Sequence, residues 1–258
     1  MNIQKCTPDL LSAAAPVFAG WEETMIWSCL QGIMGSVYIP SGIPPVSAAA
    51  LLNDFCFLAG EPSPALAALA LTFAREKGYC LAVPQHTGWI PVMNAVYSGR
   101  GNWIERYAIR KDPHCFDLPK LTALTENLPH HYQLRRIDRD LYLQCRNTPW
   151  CRDLIAGFPT WEDYHRLGIG CVATDHGIIA AGASSYSRYL TGIEIEIDTK
   201  PEYRRQGLAT AVGAALILEC LREGLYPSWD AASGISVALA EKLGYTFSHA
   251  YPTCELIG

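Results

Sequence analysis

The stretch "GIEIEIDTKPEYRRQGLATAV", residues 192–212, decides how the chain reads. Its opening residues alternate, with Ile193, Ile195 and Ile197 on one face of a strand and Glu194, Glu196 and Asp198 on the other. Pro201 ends the strand, and a long apolar helix starts near Leu208. Between them two arginines precede a glycine. A strand-to-helix junction leaves backbone N–H groups without intrahelical partners, and the helix dipole adds partial positive charge. Such an end suits a phosphate. Gly207 lacks the Cβ that would block a diphosphate, and small Ala209 keeps the first helical turn open, so that successive N–H groups can donate to oxygen. Arg204 and Arg205 add charge and forked contacts. The pattern R-x-x-G-x-A is neither G-x-G-x-x-G nor G-x-x-x-x-G-K-[ST], which excludes the Rossmann and P-loop readings. A tight turn with solvated arginines is the competing structural reading.

Working outward, "LATAVGAALILECLREG" (208–224) reads as a helix and "YPSWDA" (226–231) as a strand. "SGISVALAEKLGY" (233–245) is another helix, and "TFSHAYPTCELIG" (246–258) is a last strand kinked at Pro252. Upstream, "PSPALAALALTFAREKG" (62–78) is a helix with proline at its start and glycine after its end. "YCLAVPQ" (79–85) is a strand, "GWIPVMNAVYSG" (88–99) a helix, and "WIERYAIR" (103–110) a strand. The two halves can be laid on each other, Gly78 on Gly224, Gly88 on Gly234 and Leu71 on Ile217. The counterpart of the arginine turn is then "AGEPSPAL" (59–66), which has no arginine and two prolines without N–H donors. That copy is structural. A polar, proline-containing stretch, residues 110–133, separates the halves, and the domains are expected at 1–129 and 130–258.

Length and composition agree with a globular protein of one large or two ordinary domains: 258 residues, half of them apolar. A net charge of −5 argues against a general nucleic-acid binder. The basic cluster in "QLRRIDRD" reads as a solvated strand end. The N-terminal apolar run is broken by Pro8, Asp9 and Pro16 and reads as a first helix, and no stretch is long enough for a membrane span. A cytoplasmic location is the expectation. The 10 cysteines include no C-x-x-C and sit mostly in apolar runs, so they read as packing, with no metal site expected.

The segments "EIEIDTKPEYRRQGLATAV" (194–212) and "WDAASGISVALAEKLGY" (229–245) resemble the GNAT acetyltransferase superfamily, especially the branch that includes the zwittermicin A resistance acetyltransferase. The resemblance implies an α/β (α+β) fold, a mixed twisted sheet flanked by helices, with a degenerate GNAT-like domain before it. It implies acetyl-CoA as co-substrate, lying where strand 193–198 parts from strand 226–230. By carry-over, the N–H groups of Gln206, Gly207, Leu208, Ala209 and Thr210, with Arg204 and Arg205, would hold the pyrophosphate. Ile197, Asp198 and Thr199 would flank the pantetheine arm, and Ser233 stands where relatives carry an asparagine that touches the cofactor.

The implied chemistry is direct attack of an amine on the thioester, which needs a base. Glu196 and then Glu194 are the candidates, against the reading of a solvated strand face, and a bulge at the splay would swap the faces. Relatives often have a tyrosine acid at the position of Ala240, so Tyr251 or Tyr245 stands in. Asp230 would bind a cationic acceptor and Trp229 would wall its pocket, or the pair would be a cap and a packed ring. Trp150, Phe158, Trp161 and Tyr164 fall where relatives build the acceptor pocket; core packing accounts for most of them, and one or two would line the site. The expected partner is a small-molecule primary amine, an antibiotic or polyamine-like metabolite, with no nucleic acid and no membrane. A homodimer is one assembly open to it. A non-catalytic acyl-CoA-binding module and a protein N-acetyltransferase are the alternatives.

Overall fold

The structure is a computed structural model that describes residues 2–41 and 44–258. The chain divides into two compact units, Met1–Arg106 with Ala250–Gly258, and Tyr107–His249. This moves the boundary from the expected 129/130 and returns the last residues to the first unit. Two physical reasons account for the change. The helix Leu118–Glu126 in the proline-containing stretch buries Leu121, and the partly buried Leu124 and Leu128 near it join the second unit's core. The end of the last strand pairs with residues 79–82 of the first unit.

The first unit contains β1 (Ile3–Lys5), α1 (Pro8–Ala14), α2 (Thr24–Leu30), β2 (Ser36–Pro40), β3 (Ser47–Leu52), β4 (Phe55–Gly60), α3 (Pro64–Lys77), β5 (Tyr79–Pro84), α4 (Trp89–Tyr97) and most of β6 (Gly101–Ile109). The apolar N-terminal stretch thus gives a short strand before the expected helix. Strands β4 and β5 run parallel with α3 between them in sequence, Phe55 opposite Leu81 and Leu58 opposite Pro84. Ser63 caps α3 by accepting from the Leu66 N–H, and Gly78 ends the helix in the left-handed region.

The second unit contains α5 (Leu118–Glu126), β7 (Tyr132–Arg136), α6 (Arg139–Asn147), α7 (Trp161–Leu167), β8 (Gly170–Asp175), β9 (Ile178–Tyr189), β10 (Gly192–Thr199), α8 (Leu208–Arg222), β11 (Tyr226–Ser228), β12 (Asp230–Ala231), α9 (Gly234–Leu243) and the start of β13 (Phe247–Ile257). Short 3-10 helices span Pro149–Ile155 and Pro201–Tyr203. The sheet order is β11-β10-β9-β8-β7, parallel only at β10–β11. Ala181, Ala183, Ile193 and Ile195 face α8 and α5, where Leu121, Val212 and Leu216 complete the core. The alternate residues Gly182 and Ser184 face the other layer, against Leu154 and the Tyr164 hydroxyl. In the basic cluster, Arg136 pairs with Glu223 at 2.5 Å and with Glu219 at 3.7 Å. Among the described residues no helix is long and apolar enough to cross a membrane.

Candidate functional site

Strands β10 and β11 begin as partners and then part. Gly192, Ile193 and Glu194 pair with Tyr226, Pro227 and Ser228, after which β11 ends. The strand expected over 226–231 is in fact two. Trp229 interrupts it, and β12 pairs antiparallel with the end of β6, Asp230 opposite Ala108 and Ala231 opposite Tyr107. β10 continues to Thr199 with β9 alone as its partner, so one edge of Ile195–Thr199 is released from the β11 ladder.

A register shift falls between Glu194 and Ile195, but the extra residue, Tyr186, belongs to β9. β10 therefore keeps its phase, and Glu194, Glu196 and Asp198 share a face. Glu194 is buried at the fork, 2% exposed, whereas Glu196 stands half-buried one pleat further on. The Lys200 N–H donates to the Ala180 carbonyl, so even-numbered residues of β10 bond toward β9 and odd-numbered ones point toward the fork. Ile197 presents its backbone there. Thr199 differs, because its N–H donates to Asp198 Oδ1 at 2.8 Å and its carbonyl accepts from Arg204 Nε at 3.4 Å. Burial pushes the Asp198 carboxyl above the usual carboxylate range, and the nearby Asp153 charge adds to this.

The turn after β10 contains two left-handed residues, Arg205 at φ 62° and Gly207 at φ 81°. Beyond it the α8 helix is 15 residues long. The Ala211 N–H donates to the Gly207 carbonyl, closing the first helical turn. Among the described residues the N–H groups from Arg205 to Thr210 have no hydrogen-bond acceptor. Arg204, Arg205, Gln206 and Gly207 are exposed, while the side chains of Leu208 and Thr210 are buried and Ala209 is half-buried. A Cβ on Gly207 would meet nothing within 4 Å. The glycine is required here by the backbone angle, not by crowding from protein atoms.

Other expected site residues have structural partners. Ser233 caps α9, its Oγ accepting from the Ser236 N–H at 3.3 Å. Trp229 is buried, donates from Nε1 to Ser236 Oγ at 3.2 Å, and meets the Tyr245 ring edge-on at 5.5 Å. This is packing and not an open pocket wall. Tyr245 donates to the Pro227 carbonyl at 2.6 Å, and burial holds its phenol well above the ordinary tyrosine range. It is a brace for β11 and a poor proton donor. Ala240 is fully buried. Asp230 is half-buried on β12, and Tyr251 lies half-buried on β13 in the first unit. Phe158 and Tyr164 are buried against each other edge-on at 5.3 Å, and Trp161 meets Tyr142 edge-on at 5.8 Å and lies tilted against Tyr164 at 6.1 Å, so these aromatics form a packed cluster.

Sequence reasoning missed two residues that shape the turn, Tyr132 and Asp175. Tyr132 donates to Gln206 Oε1 at 2.6 Å, and Asp175 accepts from the Tyr203 hydroxyl at 3.0 Å. Both come from strands far away in sequence, and nothing local marks them.

The sequence profile described as GNAT acetyltransferase matches residues 15–254. The chain belongs to the GNAT acetyltransferase family. The crystal structure of a GCN5-related N-acetyltransferase-like protein from Streptococcus suis is similar, with 42% identity and a TM-score of 0.90 over 96% of this chain and 98% of that one. A Bacillus subtilis protein described as the uncharacterized N-acetyltransferase YdfB is 27% identical over 161 residues, which cover 61% of this chain and 58% of that relative. A tandem GNAT protein from the clavulanic acid biosynthesis pathway shares the fold, with a TM-score of 0.62 and 14% identity over 99% of this chain and 98% of that one.

Proposed function

We propose that the chain transfers an acetyl group from acetyl-CoA to a primary amine of a small molecule by direct attack in a ternary complex. One observation carries the reading: the N–H groups from Arg205 to Thr210, without an acceptor among the described residues, gather around two left-handed residues at the N-terminus of a long helix. These groups fit a diphosphate, because both the dipole and the donors favour anionic oxygen. Arg204 and Arg205 add charge, and the released edge of β10 at Ile197 can pair with an extended amide-containing arm. Acetyl-CoA, when bound, supplies the activated thioester.

The acceptor amine must lose its proton before attack. Glu196, one pleat into the fork and half-buried, is the base we assign, with Glu194 behind it. A thiol of pKa about 8.5 leaves with little assistance, which fits a site with alanine at position 240. The acidic face formed by Glu194, Glu196 and Asp198 supports a cationic acceptor of the antibiotic or polyamine-like kind. On sequence motifs alone we place the chain beside the zwittermicin A resistance acetyltransferase, as a cytoplasmic enzyme. A second reading, a non-catalytic acyl-CoA binder, draws on the engagement of Tyr245 with Pro227.

Thermal unfolding with and without acetyl-CoA tests the assignment of the turn. Acetyl-CoA at 100 times its Kd should stabilise the wild type by about 2.7 kcal/mol and should leave Gly207→Glu unmoved. No shift in the wild type removes the enzyme reading. A shift without thiol release across a panel of small amines selects the binder, and release only with polypeptides selects a protein acetyltransferase.

A further inference from the structure

Arg205 is the one non-glycine residue in the turn that takes up left-handed backbone, and it does so two residues before Gly207. Backbone of this kind persists where the surroundings over-determine it. Two tyrosine hydroxyls provide that constraint, one on each side of Arg205. Tyr203, at the end of the short helix Pro201–Tyr203, donates to Asp175 Oδ2 at 3.0 Å. Tyr132, the first residue of β7, donates to Gln206 Oε1 at 2.6 Å. Tyr132 and Asp175 stand opposite each other in the β7–β8 ladder, so both anchors come from one end of one strand pair. The two rings meet edge-on at 6.2 Å, which fixes the hydroxyls relative to each other. Arg204 adds a weaker tie from Nε to the Thr199 carbonyl at 3.4 Å.

We infer that Tyr132 and Tyr203 are positioning residues that hold the turn in the shape that presents its N–H groups to the diphosphate of CoA. This rests on the diphosphate reading of the turn given above. Neither hydroxyl donates to the ligand. Each ties the turn to strands that stay in place, so that the donors are arranged before the ligand arrives and less is lost on binding. Removing a hydroxyl while keeping the ring preserves the packing and frees the turn. Affinity for CoA then falls, and the fold does not.

The experiment measures the Kd of CoA by calorimetry, and unfolding temperature without ligand, for the wild type, Tyr132→Phe, Tyr203→Phe, Gln206→Ala and the pair Tyr132→Phe/Gln206→Ala. Tyr142→Phe serves as a control, because its hydroxyl donates to the Phe158 carbonyl elsewhere in the same unit. Each turn variant should weaken CoA about 3- to 10-fold, Tyr203→Phe the most because its partner is a carboxylate. The paired variant should be no weaker than Gln206→Ala alone, since both changes delete one bond. Tyr142→Phe should lower the unfolding temperature and leave Kd unchanged.

Wild-type affinity in Tyr132→Phe and Tyr203→Phe would overturn the inference while leaving the diphosphate site intact. Losses of affinity that merely track unfolding temperature, shared by Tyr142→Phe, would also overturn it. A wild type that fails to bind CoA, or binds it no better than Gly207→Glu, would overturn the reading of the turn itself.

Discussion

At Glu196 the strand leaves a carboxylate half-exposed beside the released edge of β10, while Glu194 next to it is almost wholly covered. A base that receives a proton from an incoming amine needs both reach and a route for that proton, and Glu196 has the better of both. The pH profile expected of the proposed reaction follows from this. Below the pKa of the acceptor the amine arrives protonated and depends on the base. Above it the amine has already shed its proton. Glu196→Gln should therefore lower turnover strongly at low pH and progressively less as pH rises, with acetyl-CoA affinity unchanged. A loss of equal size at every pH would mean that the side chain only supports the strand. At this scale the sequence was informative. Ile–Glu alternation set the faces of β10 correctly, and it survived the nearby bulge because Tyr186 on β9 absorbs the extra residue. It could not show that the Thr199 N–H is taken by Asp198, since that bond depends on a rotamer and not on periodicity.

Elements read from local pattern are found where the pattern is long and end-marked, as in α3 with Ser63 before it and Gly78 after it. The stretch 226–231 was harder, because a strand that changes partner looks continuous in sequence. Its break at Trp229 follows from packing. The Trp229 ring enters the core against Tyr245, and the chain beyond it pairs with β6. The Tyr245 hydroxyl holds this arrangement by donating to the carbonyl of Pro227, the central residue of β11. Tyr245→Phe should keep the ring contacts but leave that carbonyl buried without its donor. The expected cost is about 1–3 kcal/mol of unfolding free energy in urea, with turnover at ambient temperature nearly unchanged. A large loss of turnover without a loss of stability would restore Tyr245 as a proton donor.

Across the whole chain, the two units repeat a strand–helix–strand plan with parallel outer strands, β4–α3–β5 and β10–α8–β11. The glycines that align in the sequence, Gly78 and Gly224, both take left-handed backbone just after the helix. The repeat was legible for that reason; the boundary was not, because the pairing of β13 with β5 joins segments far apart in the sequence. The plan differs where ligand chemistry would lie. β4 passes to α3 through Glu61, Pro62 and Ser63 alone, whereas residues 200–207 link β10 to α8. Pro62 and Pro64 have no N–H to give, and Ser63 takes the Leu66 N–H.

The end of β4 is also occupied from within. The Gly60 N–H donates to Gln85 Oε1 at 2.8 Å, and the Gly60 carbonyl accepts from Trp89 Nε1 at 3.0 Å and lies 3.1 Å from His86 Nε2. Gln85 Nε2 in turn donates to the Val17 carbonyl at 3.3 Å, so the plug is itself anchored. An acyl-CoA arm that sought to pair with this edge would have to break several hydrogen bonds, and beyond it would meet a helix start that Pro62 and Pro64 leave short of donors and Ser63 caps. Calorimetric titration of the full chain with CoA should therefore saturate at one molecule per chain. Gly207→Glu should abolish that single event instead of halving the stoichiometry. Two binding events in the wild type, or one that persists in Gly207→Glu, would show that the first unit has kept a cofactor site of its own.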